Sequence, residues 1–180
     1  EVFLKEDDEI ITFYNEKLEL IFSKNEGRIT SYQFNNRKIL KDNKGPKPNF
    51  WRAVTDNDFG NQMHKKSIEW KSASINHKII DLVVKKSLDG KATMIVTYQL
   101  PSVGTTFTST YTIFGNGIVH VNNNLKSTEY EGDIPRIGMR MQLPKSYNQL
   151  SYFGRGPWEN YQDRKASAFI DLYNSNVSEQ

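Results

Sequence analysis

The ten residues 105–114, "TTFTSTYTIF", decide the fold. On an extended chain Phe107, Tyr111 and Ile113 fall on one side, and Thr106, Thr108, Thr110 and Thr112 on the other. Strand side chains alternate between faces, so the pattern predicts an antiparallel strand with one apolar face in a core and a β-branched polar face outside. The same period runs outward from it. "ATMIVTYQL", residues 92–100, groups Met94, Val96, Tyr98 and Leu100. "GIVHVNNNL", residues 117–125, sets Val119, Val121 and Leu125 against Ile118, His120 and Asn122, and "RIGMRMQL", residues 136–143, aligns Ile137, Met139, Met141 and Leu143.

Short turn signals separate these runs: Asn25-Glu26-Gly27, Asn35-Asn36, Asp89-Gly90 and Gly115-Asn116-Gly117. Glycine and asparagine tolerate the positive φ of tight hairpins, so each reads as a hairpin connector. Many short strands at such spacing predict an all-β sandwich of antiparallel sheets. One helix is expected, a short one from Pro157 to Arg164 opened by its proline. No internal repeat, low-complexity tract or linker interrupts the chain, so residues 1–180 read as a single domain.

Composition narrows the partners. With aromatics at 12% and hydrophobic residues at 37% of 180 residues, the core leans on large rings. The net charge of +3 comes from 24 basic and 21 acidic residues spread along the chain, not from a basic block, which argues for no nucleic-acid partner. Cysteine is absent, which removes disulfides and thiolate metal sites and fits cytoplasm and periplasm alike. No apolar run reaches the roughly 18 residues of a span, so no membrane partner is expected. The acidic start "EVFLKEDDEI" is no signal peptide and reads as a cut inside a longer protein.

Two stretches concentrate reactive side chains. "PNFWRAVTDNDFGNQ", residues 48–62, carries Arg52, Asp56, Asn57 and Asp58 among Phe50, Trp51 and Phe59. It fails as a calcium loop, because Gly60 and Asn61 stand where an acid or amide and a glycine are needed, and Ser67 where a glutamate is needed. His64, His77 and His120 lack metal-ligand spacing, and no metal site is expected. Asp56 with Asp58, or Glu159 with Asp163, offers the two carboxylates of glycoside hydrolysis, but acids this close in sequence more often cap turns or pair with Arg52, Arg155 or Arg164. The second stretch, "SYFGRGPWENYQDR", residues 151–164, gathers Tyr152, Phe153, Trp158 and Tyr161 around Arg155, Glu159 and Asn160. Such aromatics suit stacking on sugars and equally suit plugging the end of a sandwich.

"NFWRAVTDNDFGN" (49–61) and "YFGRGPWENYQDRKASAFIDLY" (152–173) together closely resemble the C-terminal, small-chain domain of bacterial β-galactosidases of glycoside hydrolase family 2, over nearly the whole chain. The resemblance implies an antiparallel β-supersandwich, galactose-mutarotase-like and here truncated. It also implies that no catalytic residue lies in this chain. In the family the two glutamates and the catalytic magnesium sit in a TIM barrel earlier in the parent, so no cofactor is expected here. The implied partners are the remaining domains including that barrel, a galactoside in the whole enzyme, and further copies in a homo-oligomer. The implied role is to close one side of the pocket and to support assembly. The Asp56-Asn57-Asp58 turn would anchor a mobile loop that begins at Gly60 and runs through Asn61, Gln62 and Met63, with glycine chosen for its freedom to cross backbone regions. The family's sugar-stacking tryptophan is expected beyond residue 180, since none of Trp51, Trp70 or Trp158 matches it. Two rivals remain: a stand-alone carbohydrate-binding module with Trp158, Tyr152 and Tyr161 as its platform, and an aldose mutarotase with His120 as its histidine.

Overall fold

A computed structural model describes residues 1–86, 89–126, 130, 132–158, 160 and 162–179. Glu159 and Tyr161 lie outside these residues, as does the side chain of Asp163. The chain forms two compact units, Glu1–Gln142 and Leu143–Gln180.

The first unit is built of antiparallel sheets. Strands β1 (Phe3–Glu6), β2 (Ile10–Tyr14), β3 (Leu18–Ser23), β4 (Arg28–Phe34) and β5 (Arg37–Lys38) form a five-stranded meander in chain order. A three-residue ribbon strand, β6 (Lys47–Asn49), follows, and then three short helices, α1 (Asp56–Gly60), α2 (Met63–Lys66) and α3 (Ile68–Ala73). Strands β7 (Lys78–Lys86), β8 (Ala92–Leu100), β9 (Thr105–Ile113) and β10 (Val119–Leu125) make a second meander of four strands. Strand β11 (Gly138–Arg140) returns to pair with β6.

Alternation explains both large sheets. Along β8, Ala92, Met94, Val96, Tyr98 and Leu100 are buried, and along β9 so are Phe107, Tyr111 and Ile113, while the intervening threonines are half-buried. From the first sheet Ile11, Phe13, Leu18, Leu20, Phe22 and Ile29 join the same core. Phe22 meets Tyr111 across it, ring centroids 6.5 Å apart. Two phenols fasten the sheets: the Tyr98 hydroxyl donates to the Gly27 carbonyl at 2.5 Å, and the Tyr32 hydroxyl donates to the Gly117 carbonyl. Those glycines are required. Gly27 has φ +63°, and a Cβ there would lie 2.6 Å from Ile79; Gly117 has φ +85°, and a Cβ would meet the Phe34 ring at 2.4 Å.

Three expectations need correction. Residues 56–63, read as a turn and a loop, enter a run of three short helices, α1 to α3. The chain there is capped: Thr55 and Asp58 exchange side-chain and backbone hydrogen bonds in a capping box that starts α1. Asp56 and Asp58 therefore share a helical turn. "RIGMRMQL" is extended over Gly138–Arg140 alone; Ile137, Met141 and Leu143 are exposed, and only Met139 packs on the core. With ladder partners for three residues only, the flanking positions have no sheet surface to share. Of the helix expected from Pro157 to Arg164, Glu159 and Tyr161 lie outside the described residues, Pro157, Trp158 and Asn160 are not helical, and a 3-10 turn runs over Gln162–Ser167.

The second unit is a hairpin, β12 (Gln149–Gly156) with β13 (Phe169–Asn176). Tyr152 stacks on its cross-strand partner Tyr173, centroids 5.3 Å apart. The Tyr173 hydroxyl donates to the carbonyls of Gly156 and Phe169, both at 3.0 Å. Arg155 donates to the carbonyls of Lys165 (3.2 Å) and Ala168 (2.8 Å), so its guanidinium braces the hairpin's connection.

Candidate functional site

The "WRAVTDND" stretch folds around one ion pair. Arg52 grips Asp58 with two parallel hydrogen bonds, Nη1 to Oδ2 at 2.5 Å and Nη2 to Oδ1 at 2.7 Å. Its Nε donates to the Pro135 carbonyl at 3.1 Å. Asp58 Oδ2 also accepts from the Thr55 backbone N–H at 2.9 Å and from the Thr55 hydroxyl at 3.0 Å. Side-chain exposure is 12% for Asp58 and 30% for Arg52, so the pair is shielded on one side and in reach of water on the other. The Arg52 guanidinium, then the Thr55 N–H, hold the Asp58 carboxyl down to about 2. A carboxylate so committed is ionised at neutral pH and is no proton donor, because a general acid or base works best near the operating pH.

Around this pair the helices are pinned by polar side chains. The Ser74 hydroxyl accepts from Phe50 N–H at 2.8 Å and donates to the Trp70 carbonyl at 3.0 Å. The Ser67 hydroxyl donates to the Asp133 carbonyl at 3.0 Å, and the Tyr130 hydroxyl to the Lys66 carbonyl at 2.8 Å. Phe50 lies edge-on to Phe107 at 5.2 Å and against Trp70 at 5.5 Å, which joins the insertion to the second sheet.

What stays outside is the tip between α1 and α2. Asp56, Asn57, Phe59, Gly60, Asn61 and Gln62 are exposed. Gly60 is the last residue of α1; its φ lies outside the left-handed range, and a Cβ there would meet nothing within 4 Å. The crossing of backbone regions expected at Gly60 occurs instead at Gln62, with φ 59° and ψ 29°. Asn61 closes α1 by donating its N–H to the Asn57 carbonyl at 2.9 Å, and its side-chain oxygen accepts from Lys66 at 3.2 Å.

Where the two ends of the insertion meet the β6–β11 ribbon opens a cleft of about 580 Å³, walled by Trp51, Arg52, Lys71, Ile75, Arg136 and Arg140 among others. The Lys71 ammonium stands 5.8 Å from the centre of the Trp51 ring. That volume falls in the range of small-molecule sites, roughly 300–1,000 Å³, and an aromatic face beside polar groups suits a sugar ring. The structure thus brings Asp58, Arg52 and Trp51 together and leaves Asp56 and Asn57 on the solvent side. Sequence reasoning missed Lys71, Arg136 and Arg140, which come from separate segments and carry no local motif.

The remaining candidates belong to other elements. Trp158 is exposed in the second unit, where Tyr152 is half-buried by its stack on Tyr173; Tyr161 lies outside the described residues. His120 is exposed on β10, opposite Thr112.

An all-β chain of antiparallel sheets, with a capped helical insertion beside an aromatic-walled cleft, is the class these features define. Residues 14–180 match the family model described as "Beta galactosidase small chain". The chain belongs to that family. It is 37% identical over 166 residues to a β-galactosidase of Clostridium acetobutylicum, covering 92% of this chain and 18% of that protein. It is 33% identical over 178 residues to a β-galactosidase of Priestia megaterium, covering 97% of this chain and 17% of that protein. A β-galactosidase of Kluyveromyces lactis is 32% identical over 173 residues, 91% of this chain and 16% of that protein. The chain thus spans about a sixth of the length of the relatives it matches.

Proposed function

We propose that this chain is a non-catalytic part of a family 2 β-galactosidase that hydrolyses terminal β-galactosides in carbohydrate catabolism. The catalytic glutamates and a magnesium ion would reside in a TIM barrel of the parent. The Trp51 cleft and the Gly60–Gln62 tip complete this side of the galactoside pocket, and the sheets support assembly of the parent. The observation that carries this reading is the state of Asp58. The acid most suggestive of catalysis is consumed by Arg52 and Thr55, and serves as the clamp that sets α1 and presents the tip. The small share of each relative's length that the chain covers agrees with a supporting role.

The test is direct. The isolated chain is expected to release no nitrophenol from a nitrophenyl galactoside. Turnover that disappears on replacing Asp56 or Asp58 would overturn the reading. The exposed Trp158 favours a second reading, a carbohydrate-binding module. Titration calorimetry of the chain with galactose or lactose separates the two. The pocket-completing reading expects little or no heat, because one wall of a pocket buries too little of a ligand to offset its lost freedom. A micromolar affinity lost in Trp158→Ala would establish the module.

A further inference from the structure

Further along the β6–β11 ribbon, sharing Arg140 with the Trp51 cleft, lies a smaller cleft of about 190 Å³, lined by Arg28, Lys44, Gly45, Lys47, Arg140, Met141 and Gln142. Four cations from three parts of the chain meet there, and none of these lining residues is acidic. Arg28 pairs with Glu26, which is not among the lining residues. The gathering is built by the backbone. A Cβ on Gly45 would lie 1.9 Å from the Ile29 carbonyl oxygen, so only glycine lets the 41–46 segment lie directly on β4. That approach, fixed by the Asn43 N–H donating to the Thr30 carbonyl at 2.9 Å and the Gln142 N–H to the Lys44 carbonyl at 2.9 Å, carries Lys44 and Lys47 to Arg28. In the ribbon, Lys47 and Arg140 are direct cross-strand partners.

Like charges directly opposite on a sheet are destabilising. Nothing in the core demands this pair, since Met139 alone of β11 packs on the buried cluster. The Lys47 ammonium registers the cost: burial first, then the charges of Arg28, Arg140 and Lys44, hold its pKa below the ordinary lysine value. An arrangement that is unfavourable when empty becomes favourable when an anion neutralises it. The volume lies below the range of sites for drug-sized molecules or sugars and suits a small ion. We propose that Arg28, Lys44, Lys47 and Arg140 form a binding site for an oxyanion, a phosphate or a carboxylate.

The probe is inorganic phosphate, added to the 180-residue chain and followed by thermal melting, with sodium chloride at matched ionic strength as control. Phosphate is expected to raise the melting temperature beyond the chloride control and to saturate, as ligand linkage requires. Lys47→Met is expected to melt higher than the parent sequence in the absence of phosphate, because a repulsion has been removed, and to weaken phosphate binding at least tenfold. Lys44→Met, which leaves the ribbon untouched, is expected to weaken binding too. Equal shifts with phosphate and chloride would overturn the proposal, since screening alone would explain them. So would a phosphate response in Lys47→Met and Lys44→Met as large as the original. The same titration on the longer parent separates two sources of the oxyanion. A retained response there identifies a free ion. A response confined to the 180-residue chain identifies a carboxylate supplied by the rest of the parent.

Discussion

The β8–β9 hairpin and the insertion at residues 51–75 lie against each other in the first unit and are held by different forces. In the hairpin every second side chain from Ala92 to Leu100 is buried, and Phe107, Tyr111 and Ile113 answer them from β9. Removal of apolar surface from water holds it, with the Tyr98 hydroxyl bond to the Gly27 carbonyl as an added polar fastening. In the insertion the buried residues are Met63, Ser67, Trp70, Ala73 and Ser74, two of them serines whose hydroxyls bond to backbone. Its start is set by one carboxylate that serves Arg52 and Thr55 together. A surface-driven element tolerates loss of one polar group; a clamp does not.

Phe107→Ala puts the first side of this contrast at risk and has the largest expected effect. The ring is fully buried between Phe50 and Tyr98, so its loss is expected to cost about 3–5 kcal/mol in denaturant unfolding. A smaller loss than that of Asp58→Asn would reverse the ranking of the two regions.

Asp58→Asn is expected to cost at most about 2 kcal/mol at neutral pH, the equivalent of holding the carboxyl at about 2 against an ordinary 3.8, reduced by water's access to Arg52. The folded-state pKa is depressed, so this contribution is complete above pH 3.8 and disappears as pH falls through about 2. The stability gap between the two proteins is therefore expected to be flat from pH 7 to about 5 and to close below 4. A gap that stays constant down to pH 2 would mean that the ion pair contributes nothing.

Gly27→Ala tests the fastening between the two sheets. With φ +63° and Ile79 in the path of a Cβ, it is expected to lower stability by about 1–3 kcal/mol. Gly60→Ala sharpens the picture of the tip from the other side. Gly60 is helical with open space around it, so alanine is expected to be neutral or to stabilise by up to about 1 kcal/mol in thermal melting. A marked loss would show that the glycine is needed for a conformation other than this one.

The two regions also differ in how far they can be read from sequence. Strict alternation in "ATMIVTYQL" and "TTFTSTYTIF", and glycine or asparagine in the turns at 25–27, 35–36, 89–90 and 115–117, made the sheets and most of their hairpins legible; Asn35 and Asn36 do adopt positive φ, 51° and 61°. The helices were not legible because their period is concealed. Met63, Ser67, Trp70 and Ser74 recur at helical spacing, but two of the four are serines, which a search for apolar stripes passes over. Thr55 three residues before Asp58 is a capping signal, and it was the one local sign of α1. For the site, the Arg52–Asp58 pair was within reach of sequence reasoning because the two stand six residues apart. The cleft was not, since Trp51, Lys71, Arg136 and Arg140 meet only through the pairing of β6 with β11 and the seating of α3.

On the proposed function, Asp58 clamps the insertion at residues 51–75 and takes no part in bond cleavage. Steady-state kinetics of the full-length parent carrying Asp58→Asn, measured at a temperature where it remains folded, address this most directly. The expected result is a change of several-fold, chiefly in KM, as the tip loses its fixed position, with kcat within about tenfold of the original. A fall in kcat of roughly 10²–10⁴-fold with KM unchanged, the size of effect a general acid or base supplies, would contradict it.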